Sequence, residues 1–316
     1  MRHPVPVALV PCKSYTPAEL YPAIDRTVEY LGGWSQMAGR GETVLVKPNF
    51  LSARPAPSAV TTHPAVILGV VERLLDLGAR VIVGDSNAFG TVLKTMDGLG
   101  ILEPLRQRGV ECVDFSREAH KLVRLPESGF KLRIARHALD ADRIINLPKV
   151  KVHCQLVLTL GVKNLFGTIP ARRKAWLHMR LGGRRERFSA MLLALADRLA
   201  PVLTLADGVV MMDKHGPQGG QPRLLGVLCA SPSPLAVDRT LCQVLGVPPE
   251  KVNVLAEARR QDRREAFMPN LEILGASIAE VAVHDITLPT MMPIRFSLWH
   301  MLKAQLRQWK TRRAKV

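Results

Sequence analysis

The residues best suited to chemistry stand where short apolar runs give way to polar ones. The clearest case is Leu147-Pro148-Lys149-Val150-Lys151-Val152-His153. Side chains alternate along an extended segment, so Lys149, Lys151 and His153 share one face. Three cationic or polarisable groups side by side repel one another unless an anion sits among them. A solvated edge strand studded with lysines is the bland alternative. The apolar runs on either side, residues 144–148 and 156–162, favour a site. Further along, Lys163 and Asn164 interrupt the apolar run that ends at Phe166-Gly167-Thr168. A lysine in such surroundings needs a partner. Asp85 or Asp207 is the expected one, and a purely structural ion pair is the competing reading.

Other strand-like runs end in the same manner. Lys47-Pro48-Asn49-Phe50 follows one, Asp85-Ser86-Asn87 a second and Asp207-Gly208 a third; another leads through Ser231 to Ser233, with Asp238 on the next helix. Open α/β sheets bind ligands beyond the carboxyl ends of their strands. Any one of these residues also suits an ordinary turn, but five such ends point to one crevice. Lys47, Asn49, Ser86, Lys149, Lys151, Asn164, Gly219 and Asp238 are therefore the expected binding residues for an anionic small molecule, a carboxylate or a phosphate. Lys163, Asp85, Asp207 and His153 are the expected catalytic set. Lysines would stabilise developing negative charge, and the acids or the imidazole would move protons.

Three further features carry weaker signals. Gly216-Pro217-Gln218-Gly219-Gly220 follows Asp213, Lys214 and His215 in a loop whose backbone amides could approach an anion. His63, His153 and His215, with Asp85 and Asp207, form a pool of metal ligands without local metal-site spacing. Cys154 follows His153, but neighbours in an extended segment point apart, which weakens a direct Cys–His pair. Neither GxGxxG after the first strand nor GxxxxGK[ST] occurs, so dinucleotide and P-loop readings have no support.

The elements that must position these residues follow from periodicity. Strands are expected at Val7–Pro11, Thr43–Lys47, Arg80–Gly84, Glu111–Phe115, Lys131–Ala135, Arg143–Leu147, Val202–Ala206, Leu224–Ala230 and Leu271–Leu274. Helices are expected at Ala18–Leu31, Pro64–Leu77 (capped by Thr62), Thr91–Met96, Leu102–Arg108, Ser189–Leu199, Leu235–Leu245 and Pro249–Arg260. Residues 154–199 read as loop and helix. Strand–helix alternation predicts an α/β fold: a mostly parallel sheet flanked by helices, in two lobes of about 1–150 and 151–290, with a crevice at the strand carboxyl ends. Residues 291–316 read as a separate basic amphipathic helix, because Trp299, Leu302, Leu306 and Trp309 recur at helical spacing.

Composition limits the alternatives. Of 316 residues 47% are hydrophobic, enough for a large core. No apolar run is long enough to span a bilayer, and the N-terminus lacks a secretory signal pattern. Five dispersed cysteines without a CxxC pair suit a reducing, cytoplasmic setting and encode no local iron–sulfur or zinc site. The net charge of +17 is concentrated. Between Leu147 and Arg187 ten lysines and arginines meet one acid, Glu186; between Met291 and Val316 seven meet none. Blocks of this kind point to anionic partners. Arg172 to Arg187 is expected to be a cationic flap hinged at Gly182-Gly183, with nucleic-acid binding as its rival. The tail, from Arg295 onward, is expected to dock on its own domain, on a second subunit of a homodimer, or on an anionic membrane surface.

The segments VLVKPNF, TTHPAVILGVVERLLDLGARVIVGDS, INLPKVKVHCQLVLTLGVKNLFGTIP, LTLADGVVMMDKHGPQGG and PLAVDRT occur in this order. From about Val5 to Val283 the chain resembles the family called domain of unknown function 362. The resemblance defines neither an activity nor a cofactor, and redox or metal-assisted chemistry stays open. Some relatives carry a ferredoxin-like module with clustered cysteines, which this chain lacks, so the resemblance allows a separate ferredoxin-type partner. Relatives often place serine or threonine after the Lys-x-Lys-x-His motif, where this chain has Cys154 and Gln155. The expectation overall is an enzyme acting on an anionic metabolite, with a basic binding or scaffold protein as the alternative.

Overall fold

A computed structural model describes residues 3–87, 90–125 and 128–289. The expected basic tail helix lies outside the described residues. The strands are β1 (Val5–Pro11), β2 (Thr43–Pro48), β3 (Arg80–Asp85), β4 (Glu111–Asp114), β5 (His120–Arg124), β6 (Lys131–Ala135), β7 (Arg143–Leu147), β8 (Lys149–His153), β9 (Val157–Thr159), β10 (Leu203–Asp213), β11 (Gln221–Ser231) and β12 (Leu271–Gly275). Ten of them form one sheet in the order β12-β1-β11-β10-β7-β2-β3-β4, with β8 alongside β10 and β9 beside β8. The sheet draws strands from both halves of the chain.

The fold class is the one the alternation predicts, an α/β sheet that is mostly parallel. The block β10-β7-β2-β3-β4 is parallel throughout. β11 is the main exception, running antiparallel to both β1 and β10. That reverses its polarity, so Ser231 lies beside Thr204 at the start of β10, away from the carboxyl ends of its neighbours. Asp238, on the helix Pro234–Val244, goes with it. The strand at Lys131–Ala135 pairs only with β5, in a separate two-stranded sheet. β8 and β9 form a hairpin.

Strand alternation sends apolar side chains to both faces of the parallel block, as burial on both sides requires. Leu45 and Ile144 pack into one core with Phe166, Phe188 and Leu192, under the helices Arg185–Leu199 and Pro234–Val244. Val44, Val46 and Ile145 pack into the other with Ile24, Val66 and Val70, under Pro17–Glu29 and Pro64–Asp76. The cap of Pro64–Asp76 is His63, whose Nδ1 accepts from Ala65 N at 3.2 Å. Thr62, the expected cap, instead donates to Leu147 O at 2.7 Å and accepts from Asn49 N at 2.8 Å, tying β2 to β7.

Candidate functional site

The same alternation that builds the cores delivers polar side chains to the strand ends. Leu45 and Lys47 share a face of β2, and Ile144 and Asn146 share a face of β7. On β8, Val150 and Val152 enter the core while Lys149, Lys151 and His153 take the opposite face. All three are buried rather than solvated, with Lys149 and Lys151 each only 1% exposed.

Beyond these ends lies a cavity of about 550 Å³. Its polar lining includes Lys151, His153, Lys163, Lys174, Asp85 and Ser86. Asn49, Asn164, Cys154, His215 and Gly219 also border it. One wall is the helix Ala171–Leu181, which presents Ala171, Lys174, Ala175 and His178. The segment expected to be a flap is thus two helices, Ala171–Leu181 and Arg185–Leu199, joined at Gly182-Gly183. Arg172, Arg173, Arg180, Arg184, Arg185 and Arg187 remain exposed, and Arg173 and Arg180 flank the Trp176 ring at 5.8 and 5.0 Å.

Two buried lysines near the cavity are neutralised by acids. Lys47 Nζ lies 2.8 Å from Asp85 Oδ1. That carboxylate also accepts from Ser86 N at 2.8 Å and Phe50 N at 2.7 Å, so its charge is held from three sides. Gly167 makes the arrangement fit, because an added methyl there would land on the Asp85 carboxylate and the Lys47 ammonium. Lys149 Nζ lies 2.8 Å from Asp207 Oδ2, which also accepts from His63 N at 2.9 Å. Tyr15 donates to Asp207 Oδ1 at 2.7 Å and accepts from Lys149 at 2.7 Å. Its ring stacks on His63 at 3.6 Å. Burial, beside the Lys149 charge, pushes the His63 imidazole down to about 4 and keeps it neutral.

Lys151, Lys163 and Lys174 are placed differently. Among the described residues, no carboxylate comes within ion-pair distance of any of them. Lys151 donates to Asn49 Oδ1 and, at 2.7 Å, to Val60 O. Lys163 donates to Thr159 Oγ1 at 3.2 Å, and Lys174 to Ser86 O at 2.6 Å. Burial, with the neighbouring lysine charges adding to it, pushes Lys151 down to about 7. Lys174 falls to about 8 through burial, against the pull of Asp85. Lys163 falls well below the lysine range through burial and the charge of Lys151. An ammonium out of water with no counter-charge is disfavoured, so each proton is loosely held.

An amide chain links this group to the sheet. A lysine can only donate, so Asn49 turns its carbonyl to Lys151. Its amide then donates to Asn164 Oδ1 at 2.9 Å, Asn164 donates to Asn146 Oδ1 at 2.8 Å, and Asn146 donates to Gly161 O at 3.0 Å. Every donor points away from Lys151. The chain runs toward Asp238, which accepts from Gly161 N at 2.6 Å and so anchors the start of the short helix Gly161–Asn164 that carries Lys163. Burial raises the Asp238 carboxyl to about 8 despite its backbone donors.

The structure therefore sorts the expected residues. Asn49, Asp85, Ser86, Lys151, His153, Lys163, Asn164 and Gly219 meet at the cavity. Lys47, Lys149 and Asp207 do not line it, and their polar atoms are taken up by the two ion-pair networks. Asp238 supports the helix carrying Lys163 from behind. Lys163 has neither expected partner, since Asp85 and Asp207 are engaged by Lys47 and Lys149. Of the metal candidates, His153 and His215 line the cavity while His63 caps a helix and stacks on Tyr15. Among the described residues no group of three His, Cys, Asp or Glu is arranged to hold a metal. His153 Nδ1 accepts from Gln155 N at 3.0 Å, and burial lowers its basicity, so the ring is neutral with its proton on Nε2. Sequence reasoning missed Tyr15, Thr159 and Asn146 altogether and read Lys174 only as part of a basic run. Lys174 had one usable signal, because it and His178 lie one helical turn apart.

The model of the family described as a domain of unknown function, DUF362, matches residues 44–243, and the chain belongs to that family. Over 310 residues it is 33% identical to a protein of Synechocystis sp. named as thylakoid-associated, covering 97% of this chain and 95% of that one. Among solved structures, the lactate racemase apoprotein from Thermoanaerobacterium thermosaccharolyticum aligns with a TM-score of 0.49 at 14% identity. That alignment covers 74% of this chain and 55% of the other. No helix among the described residues is long and apolar enough to cross a membrane.

Proposed function

We propose that this protein is an enzyme that binds a small anionic metabolite, a carboxylate or a phosphate, in the cavity at the strand ends. One observation carries the reading: Lys151, Lys163 and Lys174 converge on one cavity whose only lining carboxylate among the described residues, Asp85, already faces Lys47. An anion entering there replaces the missing counter-charge and restores the lysines to their ammonium form. The volume suits a metabolite-sized ligand. Asp85 and Asp207 have every oxygen engaged and act as fixed charges, so proton transfer falls to the lysines and to His153 Nε2.

The test is a thermal-shift panel of inorganic phosphate, acetate, succinate and citrate on the full chain. At least one should raise the melting temperature of the wild type and leave a Lys163→Met, Lys174→Met double variant unmoved. Equal shifts in both proteins would remove the assignment.

A second reading has its own support. The relative's name and the tail's seven cations without an acid favour attachment to an anionic membrane surface. The full chain should float with anionic liposomes at low salt, and a chain ending at Pro293 should not. Equal failure to float would remove this reading while leaving the cavity untouched.

A further inference from the structure

We infer that Lys163 is a nucleophile that forms an imine with the carbonyl carbon of an anionic aldehyde or ketone, of which a 2-oxo acid is the simplest kind. The inference rests on the anion-binding reading above and adds the identity of the group that reacts.

Lys163 differs from the four other lysines of the region in what surrounds it. Lys47 and Lys149 are locked to carboxylates. Lys151 is fixed by two carbonyl acceptors, and Lys174 by one backbone carbonyl. Among the described residues, Lys163 has only the Thr159 hydroxyl, at 3.2 Å, and it lines the cavity. Thr159 is buried, and the hairpin of β8 and β9 holds it opposite Lys151. Lys163 itself sits on a short helix anchored through Asp238 and Asn164. The amine is thus positioned by the fold but not consumed by it. A desolvated lysine beside another cation is the setting that yields a neutral, nucleophilic amine, and its lowered basicity agrees with this.

The neighbours suit the chemistry. Lys151 and Lys174 both feel the Asp85 charge, and both line the same cavity as Lys163. Their ammonium groups hold the substrate's carboxylate and polarise its carbonyl oxygen. The Lys163 nitrogen forms a bond to the carbonyl carbon as the carbon–oxygen π bond opens. The oxygen takes a proton from a neighbouring ammonium, and the nitrogen returns one to the resulting amine. A second proton from that ammonium to the hydroxyl releases water as the nitrogen lone pair closes the carbon–nitrogen double bond, and the iminium nitrogen returns its proton to the neighbouring amine. Amine and carbonyl are consumed, imine and one water are formed, and no oxidant or reductant is needed.

The experiment is reductive trapping. The full chain is incubated with glyoxylate, pyruvate, 2-oxoglutarate or phenylpyruvate, each with sodium cyanoborohydride, and the adduct is located by peptide mass spectrometry. Methyl pyruvate, which lacks the carboxylate charge, is the control. The inference expects one dominant adduct, on Lys163, with at least one oxo acid, at least about tenfold above methyl pyruvate, which corresponds to about 1.4 kcal/mol. Lys163→Arg puts a permanently charged, non-nucleophilic group in place of the amine, so it should retain protection by the oxo acid against thermal unfolding and lose the adduct. Adducts spread over surface lysines, or unchanged in Lys163→Arg, would overturn the inference. An oxo acid that protects the wild type without forming an adduct would overturn the imine and leave the anion site standing. Neither protection by any anion nor an adduct would overturn both.

Discussion

Two sets of lysines lie within one region of this molecule, and their environments differ. Lys47 and Lys149 each meet an aspartate at 2.8 Å, and each aspartate is further held by backbone N–H groups. Lys151, Lys163 and Lys174 meet only carbonyl or hydroxyl oxygens and face a cavity. The first set completes itself within the fold. On the proposed reading, the second is completed by an anion from outside. Lys47, Lys149 and Lys151 are buried outright while Lys163 and Lys174 are half-buried at the cavity, and on the proposed reading the presence or absence of a carboxylate separates a structural lysine from a binding one.

The largest effect is expected where a pair is broken. Asp85→Asn leaves the Lys47 ammonium buried without a counter-charge and should cost about 3–5 kcal/mol in chemical denaturation. Gly167→Ala intrudes on the same pair and should cost about 1–3 kcal/mol, as overpacking does. The second set should behave in the opposite sense. Lys163→Met removes a desolvated amine that has no carboxylate partner, at the expense of one hydroxyl contact, so it should raise stability by about 0.5–2 kcal/mol while weakening anion binding. A loss of stability there comparable to that of Asp85→Asn would erase the distinction between the sets.

The smallest effect is a matter of pH. Lys151 and Lys174, at about 7 and about 8 in the free protein, rise when an anion binds. Groups whose basicity rises on binding give full affinity below their free-state values and lose it as pH climbs through the bound-state ones. Affinity should therefore be greatest below about 7 and fall progressively on the alkaline side, as read by titration over pH. The linkage to folding has the reverse sign. Because these lysines are depressed on folding, the free protein should gain stability as pH rises from about 7 toward the ordinary lysine value.

Much of this arrangement is legible in the sequence. Alternation placed Lys149, Lys151 and His153 on one face, and the polar residues after β2, β3 and β7 were read as strand ends because the apolar runs stop there. What the sequence could not convey was pairing. The sequence offers Asp85 and Asp207 to Lys163, and only the fold, which sets Asp207 beside Lys149 through the register of β8 against β10 and Asp85 beside Lys47, assigns the acids. Strand polarity was the second hidden quantity. Ser231 and Asp238 follow a strand as plainly as Asp85 does, but β11 runs antiparallel, so Ser231 sits beside Thr204 at the start of β10 and Asp238 lies behind the Gly161–Asn164 helix rather than in the cavity lining. Tyr15 was invisible for a related reason, since its link to Asp207 spans 192 residues and nothing in its neighbours announces it.

The claim at the centre of this account is that the three lysines without carboxylate partners form one anion site. Calorimetric titration with inorganic phosphate and with pyruvate, at about pH 6 and about pH 9, tests it most directly on the wild type and on the Lys163→Met, Lys174→Met double variant. The account predicts saturable binding of at least one of the two by the wild type, proton uptake on binding, weaker binding at the higher pH, and none in the variant. Binding that is unchanged in the variant, or no binding to the wild type at either pH, would contradict it.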